Sequence, residues 1–379
     1  MKKIDNTPKA VLFVSNVPSP YNVDYLNELG KLRKVTAVFE RGFSTERDKS
    51  WKELHIQNFD CRILKGIHTA VDAAFSPGVL RYIHKYRKAH IIIGNPATPT
   101  GILAILYCKL FRIPFILQSE GGIPKDGKGL KERIKRFLMH DAKLYLSGMS
   151  LKNEYFLHYG ADPSRVKQYP FTSLYQKDLV SEAPSPEQKQ ALRRELGIDS
   201  ARMVLFVGRF VPCKAVDIFM KAGAGLGSDT ALVLVGGEPG PEHAALEKQL
   251  GLTNVYYVNH VGKETVKKYY RAADVFVLPT RGDTWGLVIN EAMASGLPVI
   301  TTTACVAGVE LIEENVNGYL IDVDDWQSLH KRIIKILSDT TLCKGMSEES
   351  LKKIRPYTLE NMAAVIHQAL EESDRNEIR

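Results

Sequence analysis

Short runs of β-branched and other apolar residues alternate along this chain with stretches whose apolar positions recur every three to four residues. In the first half, residues 11–17, 35–40, 61–64, 91–95, 114–120, 143–147 and 166–170 predict strands. Residues 25–32, 77–87, 99–111, 130–140 and 151–159 between them predict helices. In the second half the predicted strands are 203–209, 231–237, 255–261, 275–279, 298–303 and 319–323, again separated by helical stretches. Several strands, such as Val204-Leu205-Phe206-Val207 and Leu232-Val233-Leu234-Val235, are apolar at every position. Parallel strands covered on both faces have that pattern. Repeated βα units require right-handed crossovers, so the expected class is α/β with doubly wound sheets.

The alternation breaks once. Residues 181–190 are polar and contain Pro184 and Pro186, which reads as a linker, with a helix over 190–196 leading into the next strand. The expected organisation is therefore an N-terminal Rossmann-like domain over 1–180, a linker over 181–190 and a second such domain over 191–355. A C-terminal helix within 356–379 is expected to return to the N-terminal domain. Two such domains would place the carboxyl ends of their strands around one central cleft, where ligands of doubly wound sheets bind.

Composition removes whole classes. With 379 residues, 44% hydrophobic and 25% charged, the chain is neither disordered nor collagen-like. Five scattered cysteines without a CxxC pair argue against a disulfide framework or a zinc knuckle. The apolar run 11–17 is too short for a signal or a span, and 101–117 is interrupted by Lys109 and Arg112, so a cytoplasmic protein is expected.

The most informative segment runs from Val275 to Ile300: strand, loop, helix, glycine stop, strand. Free N–H groups of Gly286, Leu287 and Val288 at the helix start favour a phosphate. Gly286 lets backbone approach a ligand. Glu291, about one and a half turns on, can accept two hydrogen bonds from a diol such as a ribose. Asp283, ahead of the helix, either caps it or reaches a hydroxylated group beyond the phosphates.

This segment resembles the retaining glycosyltransferases of family 4, whose acid-x7-Glu element sits in a Glu-x-Phe-Gly-Leu-x-x-x-Glu-Ala-Met-Ala-x-Gly-x-Pro-Val setting. Here it reads Asp283-x7-Glu291, with Asp for the commoner Glu and Trp285 in the aromatic slot. Gly208-Arg209, four residues, then Lys214 resembles the family's second element, with Ala215 where relatives often carry Gly. Val235–Gly240 and Tyr270–Pro279 also fit, so the likeness covers most of residues 201–325.

The resemblance implies the GT-B architecture and a donor site. Glu291 would hold ribose hydroxyls, and Arg209 and Lys214, beside Gly208, would neutralise the diphosphate. Asp283, with backbone at Thr284, Trp285, Gly286, Leu287 and Val288, would hold the donor sugar. The base would lie near Val261 and Gly262. UDP is the default, with GDP and ADP open. The N-terminal half resembles the family less sharply. Asn16, Ser19 and Tyr21 follow the first strand, in a Pro18/Pro20 setting also found in relatives that build bacterial surface polysaccharides. Asn95, Glu120 and Gly121 follow later strands and are the other acceptor-side candidates; Tyr21 could equally cap the following helix.

The expected activity is transfer of a sugar from a nucleotide-sugar to a saccharide or lipid-linked saccharide, by front-face substitution in which the departing diphosphate helps deprotonate the acceptor. No paired carboxylates mark a double displacement. Asp322-x-Asp324 precedes a helix and reads as capping, so no metal is expected. The alternatives are a nucleotide-sugar epimerase or hydrolase of the same architecture, or a non-catalytic nucleotide-sugar- or nucleic-acid-binding protein; nucleic acid is disfavoured because no aromatic–basic RNA motif is visible.

Charge sharpens the partner question. The net charge is +8, but residues 1–190 carry 30 basic and 18 acidic side chains, whereas 191–379 carry 21 and 25. The excess lies in the presumed acceptor half. Lys125–Arg136 concentrates six basic residues around the apolar stripe Leu130, Ile134, Phe137 and Leu138. Such a segment either lies on an anionic membrane, the enzyme then being peripheral and its acceptor lipid-linked, or packs by its stripe.

Overall fold

The computed structural model describes residues 8–42, 54–120, 122, 124, 127, 129–150 and 155–378. The chain forms two compact units, Met1–Ser173 with Thr358–Arg379, and Leu174–Tyr357.

In the first unit the strands are β1 (Val11–Ser15), β2 (Val35–Phe39), β3 (Asp60–Ile63), β4 (Ile67–Ala70), β5 (Ala73–Phe75), β6 (His90–Ile93), β7 (Ile116–Ser119), β8 (Leu144–Ser147) and β9 (Val166–Gln168). Its helices are α1 (Pro20–Leu32), α2 (Val79–Lys85), α3 (Pro99–Leu110), α4 (Leu130–Met139) and α5 (Tyr155–His158). Seven strands form one parallel sheet in the order β3-β2-β1-β6-β7-β8-β9. Strands β4 and β5 form a separate antiparallel pair that the sequence pattern missed, because its residues do not alternate and β4 is exposed throughout. The apolar residues of β1, β2, β6, β7 and β8 are almost wholly buried, as runs without polar alternation require.

The second unit holds α6 (Pro186–Glu195), β10 (Arg202–Val207), α7 (Val216–Gly223), β11 (Thr230–Val235), α8 (Pro241–Leu250), β12 (Val255–Val258), α9 (Lys263–Ala272), β13 (Val275–Leu278), α10 (Leu287–Ala294), β14 (Val299–Thr302), α11 (Val306–Leu311), β15 (Gly318–Ile321), α12 (Trp326–Ser338) and α13 (Thr340–Ile354). Its parallel sheet has the order β12-β11-β10-β13-β14-β15. The chain then forms α14 (Leu359–Ile378), which belongs to the first unit and packs on α1. Buried Arg33 bonds Glu371 at 3.0 Å and the His367 ring at 3.1 Å, and buried His90 bonds Asp374 at 3.0 Å.

Two sequence readings need correction. Half of the proposed linker 181–190 is helical: Ser185 and Gln188 form a reciprocal capping box and Pro186 is the first helical residue, so α6 starts four residues earlier than the apolar period suggested. The β12 strand stops at Val258, three residues short of the predicted end, where Asn259 turns its side chain onto Glu238 at 2.6 Å and onto the His260 amide at 2.7 Å. The predicted helix 151–159 is described only from Tyr155 onward. In α4, Leu138 is buried but Leu130, Ile134 and Phe137 are exposed, so three of the four stripe residues do not pack on the domain. Lys125, Asp126 and Lys128 lie outside the described residues.

Candidate functional site

In a doubly wound sheet, ligands bind at the carboxyl ends of the strands where the chain reverses its direction of winding. That point falls between β1 and β6 in the first unit and between β10 and β13 in the second. The sequence-predicted residues cluster at both.

In the second unit the loops after β10 and β13 are stapled together. The Arg281 amide and the Thr280 hydroxyl both donate to the Cys213 carbonyl at 2.7 Å. The Arg281 guanidinium reaches the Pro212 carbonyl at 2.8 Å, Asp217 at 2.8 Å and Asp324 at 2.7 Å. Arg281 was not singled out from sequence, since an arginine beside a turn has no signature of its own. It accounts for Asp324, while Asp325 caps α12 by accepting from the Ser328 amide at 2.9 Å, so the Asp-x-Asp run is structural in both its later members.

Between these loops Lys214 forms an ion pair with Asp283, each side chain 17% exposed. Asp283 is therefore no helix cap; its backbone is also held, by Ala304 at 3.1 Å and Val306 at 3.3 Å. Lys214 is followed by Ala215 at φ +53°, the left-handed region glycine adopts most easily, which explains in conformational terms why relatives often place Gly there. Gly286 has φ +100°, and a Cβ on it would lie 2.8 Å from Cys305 Sγ. Both facts demand glycine at the start of α10. The amides of Gly286, Leu287 and Val288 thus open at a helix N-terminus, one turn from a lysine–carboxylate pair.

Glu291 stands further along α10 and accepts from the Tyr270 hydroxyl at 3.0 Å. Burial pushes its carboxyl above the ordinary 4.5, against the opposing effects of the Tyr270 bond, Lys263 and Lys267. Tyr270, at the end of α9, is 1% exposed. The same helix grips the buried Asp178 carboxylate, through Lys263 at 3.0 Å and Lys267 at 2.8 Å. Tyr270, Asp178 and these lysines were all missed, because nothing in a helical repeat marks which tyrosine or lysine faces a site.

Arg209, two residues past β10, is exposed and its side chain has no partner among the described residues. Gly236 permits the β10 and β11 ends to approach: a Cβ on it would lie 2.8 Å from the Gly208 carbonyl oxygen. Thr284 is exposed, and Leu287 and Val288 are partly so. Gly262 is the N-cap of α9, and Val261 precedes it in a loop rather than ending a strand. The Trp285 ring is part of the core: the side chain is 3% exposed and its indole N–H donates to the Asn290 side chain at 2.8 Å, which leaves the backbone at this position as the expected contact.

In the first unit, the Asn95 side-chain amide donates to Ser15 Oγ at 2.9 Å and Asn16 Oδ1 at 2.8 Å, tying β6 to β1 at the switch point. Ser19 is the α1 N-cap position but does not cap with its side chain; its buried hydroxyl has no hydrogen-bond partner among the described residues. Tyr21 does not cap either. Its hydroxyl donates to Glu120 at 3.4 Å and its ring meets the Phe171 ring edge-on at 5.7 Å. Beside Glu120, Gln118 donates to the Tyr169 hydroxyl at 3.3 Å while its own buried side-chain oxygen has no partner among the described residues. Gly121 lies outside the described residues.

Two Rossmann-like units make up the chain, and near the switch point of the second lie the α10 amides, the cations Arg209 and Lys214 and the Glu291 carboxylate. Residues 188–353 of the chain match the family model "Glycosyl transferases group 1". It is 26% identical over 332 residues to the D-inositol 3-phosphate glycosyltransferase of Corynebacterium glutamicum, covering 80% of this chain and 78% of that protein. In fold it is similar to Anabaena HepE, solved in complex with UDP (TM-score 0.77, 18% identity, 96% of this chain and 100% of that one). It is also similar to WaaG, a glycosyltransferase involved in lipopolysaccharide biosynthesis (TM-score 0.64, 18% identity, 94% and 98%). The fold is GT-B and the chain is a glycosyltransferase. Among the described residues no helix is long and apolar enough to cross a membrane.

Proposed function

We propose that the chain is a retaining enzyme that moves a sugar from a nucleoside diphosphate sugar, UDP-linked in the first instance, to a saccharide or lipid-linked saccharide acceptor in the assembly of cell-surface polysaccharide or glycolipid. The observation that carries this reading is the Lys214–Asp283 pair beside the Gly286-opened α10 with Glu291 further along the same helix. A diphosphate gains negative charge as the glycosidic bond breaks. Lys214, Arg209 and the α10 amides would stabilise it there, and such preorganised groups act most strongly where charge develops. Asp283, already bonded to Lys214, would use its remaining oxygen on the donor sugar and would fix the lysine against the diphosphate. Glu291 would use its second oxygen on the ribose. On this reading the second unit is the donor half.

The first unit would carry the acceptor at Asn16, Ser19, Tyr21, Asn95 and Glu120. No paired carboxylates for a covalent intermediate were found in the donor loops, which supports front-face substitution with the departing phosphate as the base. The reaction would need no metal: EDTA should leave turnover unchanged, and restoration of lost activity by Mg²⁺ would count against this. The complexes of Anabaena HepE with UDP, UDP-glucose and UDP with glucose support trying UDP-glucose first. The exposed Leu130, Ile134 and Phe137 among the basic residues of 125–136 support a peripheral seat on an anionic membrane. A thermal-shift panel of UDP-, GDP- and ADP-sugars tests the donor reading. A shift with one base that Glu291→Ala abolishes is expected; no shift with any donor would overturn it.

A further inference from the structure

In the first unit the end of α3 and the outer side of α4 leave one apolar face uncovered. Leu130, Ile134 and Phe137 follow at helical spacing and are 72, 49 and 58% exposed, and Leu110 and Phe111 are 76 and 58% exposed. The Lys109 ammonium lies 5.0 Å from the centre of the Phe137 ring, which joins the two groups. A cluster of this kind marks an interaction surface.

Lys109 and Phe137 are also the rim of an open cavity of about 840 Å³. It lies at the starts of β7 and β8, before β9 and against the last turns of α14. Because the strands are parallel, this is the edge of the sheet opposite to Asn16, Asn95 and Glu120. Lys109, Arg112, Lys143, Arg165 and Lys167 line it, against Asp141 and Glu372. Four of the five cations have a carboxylate partner: Lys167 with Glu372 at 2.9 Å, Lys143 with Asp374 at 3.4 Å, Lys109 with Asp141 at 3.6 Å and Arg165 with Asp162 at 3.7 Å. The Arg112 side chain has no partner among the described residues. One guanidinium is therefore uncommitted, and a second is held only by an exposed ion pair, at a cationic cavity that Phe137 also lines.

We propose that this cavity seats the phosphate of an anionic phospholipid while Leu110, Phe111, Phe137 and the α4 stripe enter the interfacial layer beside it. Guanidinium groups bind phosphate oxygens in pairs. A free phosphate or a nucleic acid would have no use for the apolar rim, whereas a lipid headgroup presents charge and acyl chain together. The inference rests on the peripheral-membrane reading given above and adds to it a defined headgroup site. The seat lies at the far end of the sheet, so it would hold the enzyme to the bilayer without obstructing the residues assigned to the acceptor.

Flotation of the full chain with phosphatidylcholine vesicles, with and without phosphatidylglycerol, tests it. Binding only to the phosphatidylglycerol vesicles is expected. Arg112→Gln combined with Arg165→Gln, both at exposed positions, should lower that partition about thirtyfold while leaving the melting temperature unchanged. Leu110→Ser with Phe137→Ser should lower it as well. Wild-type binding that the double Gln variant retains would reject the headgroup seat and leave the membrane reading standing. No binding to either vesicle would reject both. Stabilisation by inorganic phosphate without vesicle binding, retention on RNA lost in the Gln variant, or a dimer that buries the apolar face would each overturn the lipid assignment.

Discussion

Replacing Glu291 by Gln separates a binding role from a structural one, because the two predict opposite signs for stability. Burial holds the Glu291 carboxyl above 4.5 in the folded chain, so its ionised form is disfavoured there. For an acid raised on folding, the fold loses stability as pH climbs from the unfolded value through the folded one. Gln removes that loss at neutral pH and keeps an oxygen to accept from Tyr270 at 3.0 Å. The variant should therefore melt at the same or a higher temperature. Donor affinity should move the other way. A carboxylate accepting two diol hydrogens makes two charge-assisted bonds, and a neutral amide makes one acceptor contact at most. The difference is about 2–3 kcal/mol, or roughly 30- to 150-fold in Kd. Calorimetric titration with UDP and its sugars reads the affinity, and a melting scan reads the stability. Wild-type affinity should weaken as pH falls through the raised value of the carboxyl, and the Gln variant should be flat over that range. A variant that melts lower and binds as tightly as wild type would refute the assignment of Glu291 to the ribose.

Arg209→Ala should leave the melting temperature nearly unchanged, since the side chain is exposed and unpartnered, but lower turnover by about 10²–10³. An equal loss of stability would mean that the residue is structural. Gly286→Ala should destabilise the second unit by about 2–4 kcal/mol, from the φ of +100° and the contact with Cys305 Sγ at 2.8 Å. Adding Cys305→Ala should recover the contact part alone, measured by urea unfolding. His90, buried against Asp374, has its pKa lowered to about 4, chiefly by burial. Its contribution is complete above about 6.5 and falls with pH toward 4, by up to about 3 kcal/mol. The melting temperature should therefore drop between pH 7 and pH 5, and His90→Gln should drop less.

The loops after β10 and β13 were legible in the sequence because backbone demands are written in residue type. Gly286 is required by its φ and by Cys305, and the helix after it follows from an apolar period. The strands were legible because those buried on both faces have no polar alternation. What was not legible depends on contacts between elements distant in the chain. Tyr270 reaches Glu291 from the preceding helix, and Arg281 bridges Asp217 to Asp324. The burial of the Trp285 ring was not legible for the same reason: the motif fixes an aromatic at that position, but only the packing shows that its indole is spent on Asn290. Which of the two readings of the amphipathic α4 applies was not legible either, since a stripe predicts burial only when a partner surface exists, and here only its Leu138 end has one.

The two switch points differ in kind, and the difference bears on the assignment of the two halves. At the β10/β13 point the groups are an ion pair and an opened helix end, fixed charges and dipoles that suit a diphosphate whose charge grows during reaction. At the β1/β6 point they are two asparagines bonded at 2.8 Å and a serine, neutral donors and acceptors, with buried oxygens of Ser19 and Gln118 still unpartnered nearby. Neutral groups of this sort recognise hydroxyls, and unpartnered buried oxygens favour a ligand that donates to them. If the halves were reversed, a charged diphosphate would meet neutral amides and hydroxyls with the Glu120 carboxylate among them, and a neutral polyol would face an ion pair it could only weaken. The basic excess of residues 1–190 does not bear on this through the cations of the α3–α14 cavity, Arg112 and Arg165 among them, because that cavity lies at the opposite edge of the sheet.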